Sequence, residues 1–335
     1  MKRNVRKYSH QAYSMLFMSG VLWGFSALFY KKSLAVVSIT AFLAVRFVLG
    51  ASFIFATERK KFIRLSMRVF GLIALFTIVD TIMINFLYSA GIQKTTAIHA
   101  AVIHLSTPFI VYFLAALFLS EKPHRRVVVG AIIAAIGMLG IIVGSSSYNS
   151  NAGASAVGDI ILLLEAFVAA SAIVMGRKLL TKYKKIPGEQ LGFIEYSLAA
   201  VPFIIIALFS GTFSELFVLN YTSWLWIIGA SILCGAIPLT LYNRSIRKLP
   251  APRLADVSFI SPTTSAMVGV ILLGEQISAS FVIGTIFVVV GLLISHNKIH
   301  PVYIAHHLRI DVVTMKSIFR VPKRAYELIR VEVKW

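Results

Sequence analysis

Ten apolar runs, separated by short polar turns, leave this chain few folds to choose from. They run Ala12–Tyr30, Val36–Ala56, Val69–Ala90, Thr95–Phe118, Val127–Val143, Gly158–Gly176, Gln190–Ser210, Ser223–Asn243, Leu254–Leu273 and Ser278–Ser295. A helix that crosses the hydrocarbon core needs about 20 residues, close to the length of each run. Hydrophobicity does not alternate with a two-residue period, so the strands of an outer-membrane barrel are not indicated. The reading is an all-α membrane protein with ten transmembrane helices. Only 14% of the residues are charged and 58% are hydrophobic, whereas a soluble domain carries about 25% charged residues. That excludes a soluble multidomain enzyme and a disordered chain. A single cysteine, Cys234, excludes an intrachain disulfide. The basic start followed by an apolar run is also the pattern of a signal peptide. The run is long, however, and no A-x-A cleavage pattern follows it, so it reads as the first span.

The basic residues orient the spans. With the N-terminus placed in the cytoplasm, 29 Lys and Arg fall on the inner side and only Lys31, Lys32 and Lys94 on the outer side, while Arg46 lies within a span. This positive-inside bias requires an even number of spans with both termini cytoplasmic. It places the chain in the cytoplasmic membrane. It also accounts for the formal charge of +20 as attraction to anionic inner-leaflet lipid rather than to nucleic acid.

The two halves match without gaps at an offset of 154 residues. Tyr88 falls on Tyr242, Lys94 on Lys248, Pro108 on Pro262, Glu121 on Glu275, Gly130 on Gly284 and Gly137 on Gly291. The expected organisation is a cytoplasmic N-terminus (1–11), a five-helix repeat (12–143), an external polar linker (144–157), a second five-helix repeat (158–295) and a basic cytoplasmic tail (296–335). Five is odd, so the copies lie upside down relative to each other. Inverted repeats are the build of secondary transporters, whose substrate site lies near the midplane between the halves. Pro108 and Pro262 interrupt backbone hydrogen bonding in spans four and nine. Gly130, Gly137 and Gly144, with Gly284 and Gly291, recur every seven residues and suit close helix packing better than ligand binding.

Several stretches together resemble the drug/metabolite transporter superfamily, in its ten-helix branch with two EamA-type repeats. They are LWGFSALFYKK at Leu22–Lys32, the Arg46–Phe47 pair, the two P…E…G…G patterns at Pro108–Gly137 and Pro262–Gly291, and YNRSIRKLPAPRLADVSFISP at Tyr242–Pro262. The resemblance covers about residues 12–296. It implies a solute carrier, most often an exporter of amino acids or other small metabolites, with a central cavity lined by both halves. An Arg at the position of Arg46 recurs in that family, as does an acid at the positions of Glu121 and Glu275. These two acids are expected to cap or gate.

Ionisable residues deep in a span cost about 2.5–3.5 kcal/mol each on insertion scales, so each needs a partner, a wet cavity or a function. Arg46 and Asp80 share a depth on consecutive spans. They are expected either to pair as a strut or to leave Arg46 in the cavity as an anion site. Glu165 and Glu195 lie about two turns inside their spans and are proton-coupling candidates, since a carboxyl at depth can exchange protons near neutrality. Asp256 caps span nine or pairs with Arg253 or Arg244. His104 is mid-span, one turn before Pro108 and opposite Ser258 in the other repeat. It either carries protons or holds a neighbouring helix. Trp23, Asn85, Tyr88, Ser106, Thr107 and Tyr242 complete the candidate cavity lining, with packing as the alternative for each aromatic. Trp224 and Trp226 read as an outer aromatic belt.

No His/Cys cluster has metal-ligand spacing, and no P-loop, G-x-S-x-G or H-E-x-x-H motif is present. The expectation is therefore no cofactor, no metal and no catalytic residue. In the tail, Ile304, Leu308, Val312, Met315 and Phe319 form one apolar face beside basic positions, as in an interfacial helix. The functional expectation is a secondary transporter exporting a small metabolite by alternating access, through proton coupling or exchange. The alternative is a membrane-embedded enzyme or translocase for a lipid-linked head group. Expected partners are the solute and anionic lipid, with room left for a homodimer.

Overall fold

The computed structural model describes residues 2–107, 109–111, 113–114, 125–147, 155–183, 186–246 and 257–295. Among the described residues, ten helices succeed one another along the chain. They are α1 Gln11–Leu34, α2 Ile39–Lys61, α3 Met67–Ile92, α4 Ala97–His104, α5 Arg125–Ser147, α6 Ala156–Lys182, α7 Gly188–Phe209, α8 Tyr221–Ser245, α9 Val257–Leu273 and α10 Ala279–Ser295. Six of these spans, α1–α3 and α6–α8, are long and apolar enough to cross a bilayer, and the other four contain shorter apolar helices. Among the described residues no strand occurs. Pro108, Glu121, Asp256, the Ser258 side chain, linker residues 148–154 and the tail lie outside the description.

Local chemistry starts the helices where the sequence changes from polar to apolar. Ser38, Ser66, Thr96 and Asn220 stand in extended conformation, and each accepts a backbone N–H from the first turn of α2, α3, α4 or α8. Ser278 does the same for α10 through Phe281 N–H at 3.1 Å. Between α7 and α8 the chain reverses at Gly211, whose φ of 73° is left-handed. A 3₁₀ segment, Thr212–Val218, comes next. Large apolar side chains such as Leu75, Leu139, Ile205 and Ile271 remain exposed on the perimeter. In a bilayer that surface faces acyl chains.

Helix directions are set by which residues meet. Phe47 packs on Phe203 and Tyr196, while Phe55 packs on Phe193. Rising numbers in α2 meet falling numbers in α7, so these counterparts are antiparallel. Helices α5 and α10 behave likewise. A Cβ on Gly137 would stand 2.5 Å from the Gly284 carbonyl, and one on Gly291 would collide with the Gly130 carbonyl. Under the 154-residue offset, these two contacts exchange into one another. That is the pattern of a two-fold axis, here relating two halves of one chain. Helices α1 and α9 run parallel, since Gly20 meets Ile260 and Gly24 meets Thr264. Their counterparts α6 and α4 also run parallel, since Asp159 meets His99 and Glu165 meets His104. The fold is two inverted five-helix repeats. Because lipid tails are as apolar as the side chains, close backbone approach of this kind is what holds helices together in a membrane.

The halves share one further irregularity. Helix α3 turns π-helical over Ile78–Met83, and α8 does so over Gly229–Ala236. The offset places these stretches on each other. Each π turn takes in an extra residue and rotates the rest of its helix about the axis.

Candidate functional site

A cavity of about 380 Å³ opens between the repeats at mid-span. Trp23, Ser26 and Tyr30 of α1, Arg46 of α2, and Asn85 and Tyr88 of α3 line it, with Ala101 and His104 of α4 and Thr107 beyond them. The second half contributes Glu165 of α6, Cys234 of α8, and Ser261, Pro262 and Ser265 of α9. Cys234 belongs to the π-helical stretch of α8, and the π-helical stretch of α3 ends one residue before Ile84, which also lines the cavity.

Arg46 is held rigidly. Its Nη1 donates to Asn85 Oδ1 at 2.9 Å. The rings of Tyr30, Phe47 and Tyr196 surround the guanidinium at 5.2, 5.4 and 5.7 Å, within cation–π range. The Tyr30 hydroxyl donates to the same Asn85 oxygen at 2.9 Å, and Asn85 Nδ2 donates to the Thr81 carbonyl at 2.8 Å. Asn85 therefore acts as a bracket: one oxygen aligns two donors, and its amide nitrogen is tied to α3. Among the described residues no carboxylate pairs with Arg46, and its buried Nε has no hydrogen-bond partner.

The expected Arg46–Asp80 ion pair does not form. Asp80 falls inside the π-helical stretch, which changes the face of α3 it occupies. It lies instead within electrostatic reach of Glu195 on α7. Across the cavity, Glu165 Oε2 stands 2.7 Å from His104 Nε2. The ring is not aligned for a formed hydrogen bond, so both atoms keep bonding capacity. Between the cation and this pair runs an aromatic ladder. Tyr30 and Tyr88 stand edge-to-face at 4.9 Å, and Tyr88 and His104 lie 5.6 Å apart.

Of the residues expected at the site, Trp23, Arg46, Asn85, Tyr88, His104, Thr107 and Glu165 face the cavity. Ser106 does not. Its hydroxyl turns back to the Ile103 carbonyl at 2.6 Å, where α4 tightens into a 3₁₀ turn, and it faces an apolar groove with Phe109 and Leu163. Tyr242 stands behind Trp23, ring centroids 5.2 Å apart. Asp80 and Glu195 lie outside the lining. Tyr30 and Cys234 were not singled out from sequence. An aromatic beside Lys31 at a span end reads as a belt residue, and a lone cysteine carries no pattern.

Both ends of the bundle are tied by polar groups. At the end carrying Lys31, Glu275 accepts the free N–H groups of Ala97 and Ile98 at the start of α4, at 2.8 and 3.0 Å, and pairs with Lys31 at 2.8 Å. So Glu275 caps a helix of the other repeat rather than its own. Gln93 reaches the Leu34 carbonyl at 3.2 Å. Nearby, the buried Asp159 carboxylate accepts from the Thr95 hydroxyl and meets His99 Nδ1 at 2.9 Å. At the opposite end Glu58, Lys61, Glu189 and Arg244 interlock, and Gln190 exchanges two hydrogen bonds with the Ile63 backbone.

The profile of the EamA-like transporter family matches residues 10–143 and 156–296. The chain belongs to that family. The two matched blocks coincide with the two structural repeats. An uncharacterized transporter from the sor 3'region of Acidianus ambivalens is 26% identical over 259 residues, covering 76% of this chain and 92% of the relative. The uncharacterized transporter YojE of Bacillus subtilis is 26% identical over 212 residues, 63% of this chain and 65% of YojE. An uncharacterized transporter of Archaeoglobus fulgidus matches at 28% over 76 residues, which is 28% of its length. A crystal structure of another protein superposes with a TM-score of 0.57 at 17% identity, over 85% of this chain and 95% of the other. That likeness concerns the fold.

Proposed function

We propose that this EamA-like chain is a secondary transporter that exports a small amino acid-like metabolite across the cytoplasmic membrane. One observation carries the reading: a small-molecule-sized cavity, lined from both inverted repeats, with an un-neutralised arginine on one wall and a carboxylate–histidine pair on another. Pockets for small organic solutes span about 300–1,000 Å³, and this one lies within that range. A carboxylate on the solute would meet Arg46, and an ammonium would meet Glu165. The aromatic ladder between them would cover the solute's apolar part.

Alternating access would pivot on the two symmetric contacts, α2 with α7 and α5 with α10. Both are packed too closely to part. The ties from Lys31, Gln93 and Glu275 join α1 and α9 to α3 and α4, and they would hold the outer end shut in this conformation. Positive-inside charge supports placing the opposite end in the cytoplasm. Export is the direction most usual among transporters that this sequence resembles. Energy would come from proton coupling or exchange.

Counterflow in proteoliposomes tests the reading. Vesicles holding the purified chain are preloaded in turn with each of the common amino acids and given the same compound radiolabelled outside. The expected result is saturable counterflow for at least one zwitterionic compound, lost in Arg46→Ala. Absence of counterflow across the panel, or full activity in Arg46→Ala, refutes it.

A further inference from the structure

Asp80 and Glu195 lie outside the cavity, and the transport reading makes no use of them. Asp80 sits in the π-helical stretch of α3, which packs against α7. Glu195 is 4% exposed on α7. The two carboxyls act on each other, and Asp80 also reaches Tyr242 on α8. Among the described residues, the side-chain hydrogen bond to Asp80 is a long one, 3.5 Å from the Thr81 hydroxyl. Among the same residues, no hydrogen bond or ion pair reaches the Glu195 carboxyl.

Among the described side chains, the charges around the two acids do not compensate them. Helix α2 offers Arg46, already held by Asn85 and three rings. Helix α6 offers Glu165, which turns to His104. Helices α7 and α8 add the phenols Tyr196 and Tyr242. Lys61 and Arg244 are engaged by Glu58 and Glu189 at the end of the bundle. Two carboxylates on packed elements within a membrane span carry an insertion cost, and repulsion between them adds to it. Binding one proton relieves both.

We infer that Asp80 and Glu195 form a proton-binding site outside the cavity, and that its loading acts on Arg46. Two short links carry the effect. Tyr196, next to Glu195, lies against the guanidinium, and the Thr81 carbonyl, next to Asp80, holds Asn85. The first link belongs to α7 and the second to the π-helical stretch packed against it. The consequence for Arg46 rests on the cavity reading above, whereas proton binding itself does not.

Infrared titration of the detergent-solubilised full chain, with no solute present, tests the site. The expected wild-type spectrum has a deuterium-sensitive protonated-carboxyl band that disappears as the pH is raised. The double variant D80N/E195Q loses it. In D80N and in E195Q the titration of the remaining acid moves, because two interacting sites titrate as one system. A double variant that keeps the whole band overturns the proposal, and so does a remaining acid that titrates as before in both single variants. Should an amide variant fail to give a monodisperse protein, D80E and E195D take its place. They keep an acid but move it by one methylene, and an unchanged titration in both is equally fatal. Because no solute enters, a negative result here leaves the counterflow result standing, and the reverse.

Discussion

Replacing Glu275 by Gln should open the Lys31 end of the bundle. The carboxylate accepts two backbone N–H groups from the start of α4, at 2.8 and 3.0 Å, and one contact from Lys31 at 2.8 Å. Its side chain is 7% exposed, against 24% for Lys31. Hydrogen bonds to a charged acceptor contribute about 1.5–3 kcal/mol each. The amide keeps one acceptor but presents its NH₂ to a helix N-terminus that prefers negative charge. A net loss of about 2–3 kcal/mol is expected, which shifts a two-state equilibrium roughly 30- to 150-fold. The ion pair, whose Lys31 end reaches solvent, is the smaller part, so Lys31→Met should shift it by about fivefold or less. The assay is modification of a cavity cysteine, Ser26→Cys in a Cys234→Ser background, by a membrane-impermeant thiol reagent added outside intact cells. Faster labelling in Glu275→Gln than in Lys31→Met, and faster in both than in the parent, is the expected order. Equal rates in all three would show that Glu275 does not hold the end closed. A Lys31→Met rate matching Glu275→Gln would show that the ion pair, not the helix cap, carries the closure.

The geometry gives three further outcomes. Gly137→Ala places a methyl 2.5 Å from the Gly284 carbonyl, a backbone atom that cannot step aside, so it should cost about 1–3 kcal/mol and lower the thermal midpoint. Gly140→Ala, on the same helix with nothing within 4 Å, should not; fluorescence-detected size exclusion after heating compares them, and equal midpoints would refute the seam. Asn85→Leu, which copies the counterpart Leu239, leaves the Arg46 Nη1 and Tyr30 donors unpaired at about 1–3 kcal/mol. It should raise the KM for counterflow about tenfold more than it changes the maximal rate. Glu165→Gln removes the acid 2.7 Å from His104 and should raise the KM for a zwitterionic solute in counterflow about tenfold; an unchanged KM removes Glu165 from the ammonium site.

The spans, their caps and the duplication were legible because each rests on local or periodic information: run length, a Ser, Thr or Asn at the polar edge, and a fixed offset. The glycines were legible for the same reason, since a seven-residue recurrence marks one helix face. The cavity was only partly so. Arg46 and Asp80 share a depth when both helices are counted as regular. The π turns at 78–83 change the face without changing the depth, and hydropathy contains no sign of them. Ser106 and Thr107 are adjacent hydroxyls near a proline, yet a 3₁₀ turn sends one to the groove and the other to the cavity. Glu275 was recognisable as a cap or gate, but the helix it caps belongs to the other repeat, and a single sequence does not name long-range partners.

The reciprocal glycine seam has a consequence for how the chain is made. Helix α10 leaves the ribosome long after α5, and the face of α5 that awaits it carries glycines where α10 comes closest. Until α10 arrives, that bare backbone lies against lipid, which cannot fill the groove as a matching glycine face does. Closure of the α5–α10 seam thus waits on the second repeat. A chain cut short before Ala279 would leave an unfilled furrow, visible to any quality-control system that samples helices in the bilayer.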